Sequence, residues 1–380
     1  MIRTLNYPLY PTAKQETALL NILATCQRLY NAALEQRIDA YRKQRKNLTE
    51  YAQQRDLAEL RKHDAVFGQV ATTILRSALS RLDRAYKAFY RRLKTGQKPG
   101  FPRFRNRERY NSFSFPCQPG TEVFRDNFVR IPAFGFTKFK KYRPLKGIPK
   151  EASIRRTAAG WTLAVVCDLG PAPGKVKVRT FTGIDVGLTH FASLADGTHV
   201  DNPRFYRKSE DIISYRSQRL EKKNKGSKSW LRAKCLLAKA HVRIKHQRLD
   251  FIRKLAKLLV TKYDLIAYEN LDINALIRGN LAKSILDASW EIFTDCIKFK
   301  AEEAGTYAVG VSPKGTSQRC SRCAAVPVTK KTLADRIHFC GNCGLQLDRD
   351  HNAAINIQTL GLSAVHATFT GSLTEVTRVQ

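Results

Sequence analysis

The sequence predicts a multidomain α+β protein. An N-terminal β-barrel is interrupted by a helical insert, and an α/β domain follows that carries a small metal ribbon near the C-terminal end. Three observations predict this. Apolar residues recur at helical spacing between 12 and 94; short alternating segments broken by Gly and Pro fill 95–178; and two Cys-x-x-Cys knuckles, Cys320/Cys323 and Cys340/Cys343, are separated by the sixteen residues 324–339. Four thiolates at this spacing can close a tetrahedral Zn²⁺ site of the ribbon type.

Charge narrows the function. The chain of 380 residues has 67 Lys+Arg against 32 Asp+Glu, a net charge of +35. A field of that sign attracts polyanions, and nucleic acid is the expected partner. No apolar run approaches the ~20 residues of a membrane span, and the N-terminus MIRTLNYPLYPTAKQE has no apolar signal core. A cytoplasmic protein without a membrane partner is expected. Nine cysteines, four of them in the knuckles, fit a reducing compartment; Cys26, Cys117, Cys167, Cys235 and Cys296 are expected to be buried.

Taken in order, residues 2–10 alternate as a strand, and Thr12 offers an N-cap. Leu19, Leu23, Cys26, Leu29, Tyr30 and Ala33 then mark a helix, a weaker one spans 49–62, and a third runs over 69–94. Arg28, Arg37, Arg76, Arg84 and Arg91 are expected to face outward towards phosphates. Residues 91–156 hold eighteen Lys+Arg, four acids and eleven aromatics. Arg103, Arg105 and Arg107 can neutralise phosphates there, and Phe101 and Phe104 can stack on bases. Phe113, Phe115, Phe124 and Trp161 are expected to fill the barrel.

The α/β domain opens at Arg179. Asp185 is the lone charge in the core of its first strand, and Glu269 ends a second buried strand, LIAYE. A carboxylate in such a place is costly unless paired or metal-bound. Between them, residues 207–262 carry eighteen Lys+Arg and four acids on two helices broken at 224–229. Lys222, Lys223, Lys225, Arg232, Lys234 and Arg243 are candidates for a nucleic-acid groove, as are Lys330 and Lys331 in the ribbon loop. One helix is expected over 281–304 and a strand over 307–313. Beyond the ribbon, Asp350 starts the last helix, with Asp348 either beside the metal or setting the turn. Asp185, Glu269 and Asp350 collected in one cleft would hold two Mg²⁺ (or Mn²⁺) ions by oxygen ligation for phosphodiester cleavage. Taken singly, Glu269 could be an ion-pair partner and Asp350 a helix N-cap.

The motifs GIDVGL, YENL, TSQRCSRC, CGNCG and DRDHNAAINI, with LYPTAKQE and KPGFPRFR upstream, together resemble the TnpB family of transposon-encoded RNA-guided endonucleases. The resemblance spans about 2–360. It implies a wedge-type barrel (1–10 and 95–178) around a helical recognition insert (11–94). It further implies an RNase H-like RuvC nuclease domain (179–313 and 346–361), a target-binding zinc ribbon (314–345) and a flexible tail (362–380). It assigns catalysis and Mg²⁺ to Asp185, Glu269 and Asp350, and structural zinc to Cys320, Cys323, Cys340 and Cys343. The implied partners are a guide RNA from the transposon end and a target double-stranded DNA, bound by a monomer in preference to a homodimer. A regulator that never cuts, and an unguided nuclease or transposase, are the alternatives. Ala324 stands where the family carries glycine, so its turn is expected to adjust.

Overall fold

The computed structural model describes residues 1–132, 134–329, 331, 332 and 335–376, with side chains to residue 366. Lys330 lies outside the described residues, as do the last four of the expected tail. The chain divides into two compact units, Met1–Pro171 and Ala172–Gln380.

In the first unit, β1 (Ile2–Tyr10) leads into α1 (Ala13–Gln44), α2 (Glu50–His63), the short α3 (Ala65–Gly68) and α4 (Thr72–Lys94). Six strands follow: β2 (Ser112–Pro116), β3 (Phe124–Arg125), β4 (Phe128–Ile131), β5 (Gly135–Phe139), β6 (Ile148–Thr157) and β7 (Gly160–Asp168). Thr12 caps α1 in a reciprocal box: its hydroxyl accepts from the Gln15 amide (3.3 Å), and its own amide donates to the Gln15 side chain (3.0 Å). All neighbours in the sheet are antiparallel, in the order β2-β6-β7-β1-β5-β4-β3. Leu5, Tyr7 and Leu9 of β1 share one core with Leu19, Leu23 and Tyr30 of α1, Leu75 and Leu79 of α4, and Phe113 and Phe115 of β2. Trp161 is buried there too, whereas Phe124 is half-buried at its margin.

Three expectations are corrected. The barrel is an open sheet. Among the described residues its edges are β2, which ends at Pro116 with no amide to donate, and β3, only two residues long. Neither presents the run of backbone groups that closure requires. Arg37 points inward: it is 8 % exposed and donates to Gln53 (2.8 Å) and Asp83 (3.2 Å), tying α1 to α2 and α4. It continues the apolar stripe Cys26–Tyr30–Ala33 at the next helical step, so burial decides its role and its paired charge makes burial tolerable. Of the scattered cysteines, Cys26 and Cys167 are buried, Cys117 and Cys296 half-buried, and Cys235 exposed on the outer face of a helix.

The second unit builds a mixed sheet. β8 (Phe181–Val186), β9 (His190–Leu194) and β10 (His199–Asp201) form an antiparallel meander. A 3-10 turn (Arg207–Ser209), α5 (Glu210–Glu221) and α6 (Lys228–Lys262) lead to β11 (Leu265–Glu269), which runs parallel to β8. After α7 (Ile273–Leu276), α8 (Ala282–Ala288) and α9 (Trp290–Ala304), β12 (Tyr307–Val311) adds parallel to β11. The helix expected over 281–304 is two, because Ser289 adopts φ 58 between α8 and α9 and no straight helix accommodates that angle. β13 (Ile337–Phe339) and β14 (Gln346–Asp348) form the ribbon hairpin, and α10 (Arg349–Val376) closes the chain. Residues 362–376, expected as a flexible tail, continue α10. Among the described residues no helix is long and apolar enough to cross a membrane.

Alternation along the strands sorts the two faces. Ile184 and Ile266 pack with Ile252 and Leu259 of α6 and with Phe293 and Ile297 of α9. Leu265 and Ala267 pack with Ile357 of α10. Gly183 also faces α10, and a methyl group there would lie 2.0 Å from the Ala354 carbonyl oxygen and 2.4 Å from the Gln358 nitrogen. Two residues on from Gly183 and Ala267, on that same face, come Asp185 and Glu269.

Candidate active site and metal centre

β8 and β11 pair in parallel, with Tyr268 opposite Ile184, so Asp185 and Glu269 follow side by side at the C-terminal ends of their strands. Open sheets that carry helices on their faces place ligands at such strand ends. The third carboxylate arrives from the helix packed on this face. Asp348 caps α10, its Oδ1 accepting the amides of Asp350 (2.9 Å) and His351 (3.0 Å). Asp348 therefore sets the turn, and Asp350 is left in the first turn with its carboxylate available. Arg349 donates to Asp350 Oδ1 (3.2 Å) and to the Thr332 carbonyl (2.9 Å). Gly187, just past β8, would bring an added methyl group to 3.8 Å from Asp350 Oδ2, so the strand end and the helix start adjoin.

The electrostatics follow from this gathering. Burial, then the Glu269 and Asp350 carboxylates, push the Asp185 carboxyl well above the usual carboxylate range. Burial also raises Glu269, opposed by a hydrogen bond from the Thr316 hydroxyl. Asp185 is thus the member that feels both of the others. Gly183→Ala is expected to push α10 off β8 and cost about 1–3 kcal/mol, measured by urea denaturation.

The four cysteines also meet. All four Sγ atoms lie within 4.8 Å of one another, with Cys320–Cys343 and Cys323–Cys340 both at 3.6 Å. A tetrahedron with Zn–S bonds of about 2.3 Å has edges of about 3.8 Å, so the donor set fits zinc. Among the described residues this is the one such set of Cys, His, Asp or Glu atoms within that distance, and the three carboxylates stand wider.

The knuckles repeat each other. Cys320 N–H donates to Ala325 O (2.9 Å) and Ala324 N–H to Cys320 O (3.0 Å); Cys340 N–H donates to Leu345 O (2.9 Å) and Gly344 N–H to Cys340 O (2.8 Å). Ala324 adopts φ 61 and Gly344 φ 69. The first turn is therefore not adjusted for its alanine, because closure of the thiolate cage dictates the backbone and the methyl group bears the strain. Ala324→Gly is expected to stabilise the ribbon by about 1 kcal/mol. The measurement is the rate of zinc loss to a chelator, expected to fall about fivefold.

The proposed nucleic-acid contacts separate into three places. Phe101 (48 % exposed) and Phe104 (57 %) lie with the exposed Arg103, Arg105 and Arg107 on a segment of the first unit. Asn31 pins that segment through both backbone groups of Arg105, at 2.9 Å each. Phe101 also packs edge-on against Tyr86 and Phe89. In the second unit Lys222, Lys223 and Lys225 crowd the α5–α6 turn, and Arg232, Lys234 and Arg243 continue along the exposed side of α6. Lys331 is different: its ammonium lies against His338 Nδ1 and within 3.5 Å of the Gln318 carbonyl, inside the ribbon. Its distance in sequence from the knuckles gave no hint of that inward turn.

Three family models match the chain. One for IS605 OrfB proteins, described as "Probable transposase", matches residues 164–279. One described as "Helix-turn-helix domain" of the same proteins matches 1–46, here β1 and α1. A third, "Cas12f1-like, TNB domain", matches 290–357 and so takes in the four cysteines and Asp350. In these segments the chain is similar to IS605 OrfB proteins and to the Cas12f1-like ribbon module, in keeping with the TnpB resemblance.

Among its relatives, a Streptomyces pristinaespiralis protein named "Putative RNA-guided DNA endonuclease" is 27 % identical over 95 % of the chain and 90 % of its own length. InsQ of Escherichia coli K12, which carries the same description, is 22 % identical over 95 % and 92 %. The fold matches a solved Cas12f1–sgRNA–target DNA complex with a TM-score of 0.61 at 14 % identity, covering 94 % of this chain and 98 % of that one.

Sequence reading missed Gly183, Thr316, Arg349, Asn352 and Asn356 as parts of the site. Asn352 and Asn356 carried a legible signal, two amides one helical turn apart with only Ala and Ile between them.

Proposed function

We propose that the chain is an RNA-guided DNA endonuclease of a transposon, which cleaves guide-matched DNA beside a short target-adjacent motif. The observation that carries this reading is the gathering of Asp185, Glu269 and Asp350 at the ends of two parallel strands and the start of one helix. The naming of two near-full-length relatives as RNA-guided DNA endonucleases supports the guided part. The sheet order β10-β9-β8-β11-β12, three antiparallel strands then two parallel ones, supports an RNase H-like nuclease domain of the RuvC type.

Asp185, Glu269 and Asp350 would hold Mg²⁺, or Mn²⁺ in its place. Bound there, the metal supplies Lewis acidity at the scissile phosphate and lowers the pKa of a water. The carboxylates supply the negative charge, and their shared burial keeps bulk water from screening it. Arg349 orients the Asp350 carboxylate. The exposed cations of α5 and α6 would track phosphates, and the guide–target pairing would read sequence. The ribbon, held by zinc, would contact the target.

Charge reversal of Lys222, Lys223, Arg232 and Arg243 is expected to weaken RNA binding and to lower the salt slope by roughly one for each lost contact. An unchanged slope would place the groove elsewhere. The deciding experiment is to purify the protein from cells holding its native locus, sequence the RNA that accompanies it, and test the complex on matched DNA with Mg²⁺. A defined RNA with a variable segment, and cleavage of matched DNA alone, is expected. Cleavage of unmatched DNA without a specific RNA would point to an unguided nuclease, and bound RNA without cleavage to a regulator.

A further inference from the structure

We infer that Thr316 is a positioning residue for Glu269, and that the ribbon is coupled to the carboxylate centre through it. The inference rests on the reading of Glu269 as a metal-holding residue. Glu269 is the last residue of β11, paired with Val311 of β12 but one residue past the last β8 pair. Among the described residues, the Thr316 hydroxyl is the donor that meets its carboxylate, with the Pro313 carbonyl at 3.2 Å as the alternative acceptor. Thr316 is 5 % exposed, so water does not compete for that hydrogen bond. A hydroxyl donating to a buried carboxylate selects one of its rotamers and leaves the other lone pairs free for metal.

Thr316 is itself held by α10. Asn356 donates to the carbonyls of Thr316 and Arg319, both at 2.8 Å. Asn352, one turn earlier, donates to the Arg319 carbonyl (2.8 Å) and accepts the Ser321 amide (2.9 Å). Ser321 lies within the first knuckle, between Cys320 and Cys323. Asn352 is fully buried and Asn356 is 9 % exposed, so these amides have protein partners in place of solvent. The helix α10 therefore clamps the segment 316–321, which runs from the Glu269 partner into the thiolate cage. Zinc that orders the knuckle also orders Thr316, and Thr316 sets the carboxylate. A purely structural clamp needs only the backbone of residue 316, and valine would fill the same space.

The test is Mn²⁺ titration of the full-length protein–RNA complex, followed by the electron paramagnetic resonance of free Mn²⁺, with zinc content and melting temperature measured alongside. Thr316→Val is expected to raise the Mn²⁺ midpoint about tenfold or more, with zinc retained and melting unchanged. Thr316→Ser should restore the wild-type midpoint. Asn356→Ala, which keeps the hydroxyl but frees the Thr316 carbonyl, should give a smaller shift in the same direction. A Thr316→Val protein that binds Mn²⁺ like wild type overturns the inference and leaves the nuclease reading standing. So does a serine variant that behaves like valine, or a shift seen only together with loss of zinc. Absence of specific Mn²⁺ binding in the wild type overturns both.

Discussion

Asp185→Asn is expected to abolish DNA cleavage and, at the same time, to make the metal-free protein more stable. Asparagine keeps the shape of the side chain but removes the charge that the site gathers. Loss of a metal-held carboxylate removes several kcal/mol of transition-state stabilisation, and each 1.4 kcal/mol is about tenfold in rate, so cleavage should fall by more than about 10³-fold. RNA binding should be unchanged, because Asp185 lies in the sheet and away from the exposed cations of α5 and α6.

The stability change has a definite sign. Burial and two neighbouring carboxylates hold the native Asp185 pKa well above the ordinary value. Below about pH 3.9, the unfolded value, both states keep the proton and the residue contributes nothing to the pH dependence. As pH rises from there through the native value, the unfolded chain releases its proton while the native one retains it. The unfolded state then binds fewer protons, so stability falls with rising pH. The asparagine variant does not suffer this fall. Its advantage should open above about pH 4 and level off once pH passes the native value. Thermal melts of metal-free protein across pH check it. Added Mg²⁺ should raise the melting temperature of the wild type and leave the variant unmoved. A variant less stable than the wild type at neutral pH would mean that Asp185 serves the fold.

Zinc removal should have the largest structural effect. Cys320→Ser, or a strong chelator, is expected to release the ion and unfold the ribbon. Without metal, residues 316–321 keep their hydrogen bonds to Asn352 and Asn356, but the rest of the module is left with a three-residue hairpin and a small cluster of Cys320, Cys340 and Leu345. Structural zinc in such small modules contributes about 10–16 kcal/mol of apparent binding free energy, which is folding free energy. One site sharpens the expectation. Asn342 donates to Cys323 Sγ (3.5 Å), and with the Ala325 amide it holds that thiol down at about 6, primed as a thiolate. Zinc content by mass spectrometry should fall from one per chain to none. Amide exchange should become fast across 314–345 while β8 and β11 stay protected. Slow exchange in the ribbon after zinc loss would show that the fold does not depend on the metal.

Much of the site was legible because its residues violate their surroundings. A lone acid ending an apolar strand is costly, and Asp185 and Glu269 each stood out for that reason. The knuckle spacing, the cap at Thr12 and the break at 224–229 are local features, decided within a few residues, and local chemistry reads them. Arg37 and the single helix over 281–304 failed at the same boundary. Whether a basic residue on an apolar stripe turns in depends on a distant Asp83, and whether a helix breaks at Ser289 depends on what packs beside it.

By itself the sequence determined which residue types carry chemistry, their order along the chain, and the strands and helices that bear them. It also contained the resemblance that assigned them roles. The tertiary structure alone decided that the first sheet stays open, that α10 lies close enough over Gly183 to bring Asp350 to Asp185, and that Asp348 caps the start of that helix. It alone tied Thr316 to Glu269 across 47 positions of chain. The physical reason is range. Propensity, capping and knuckle spacing act over one to four residues, whereas close backbone approach and a buried hydrogen bond depend on segments that sequence order does not place side by side.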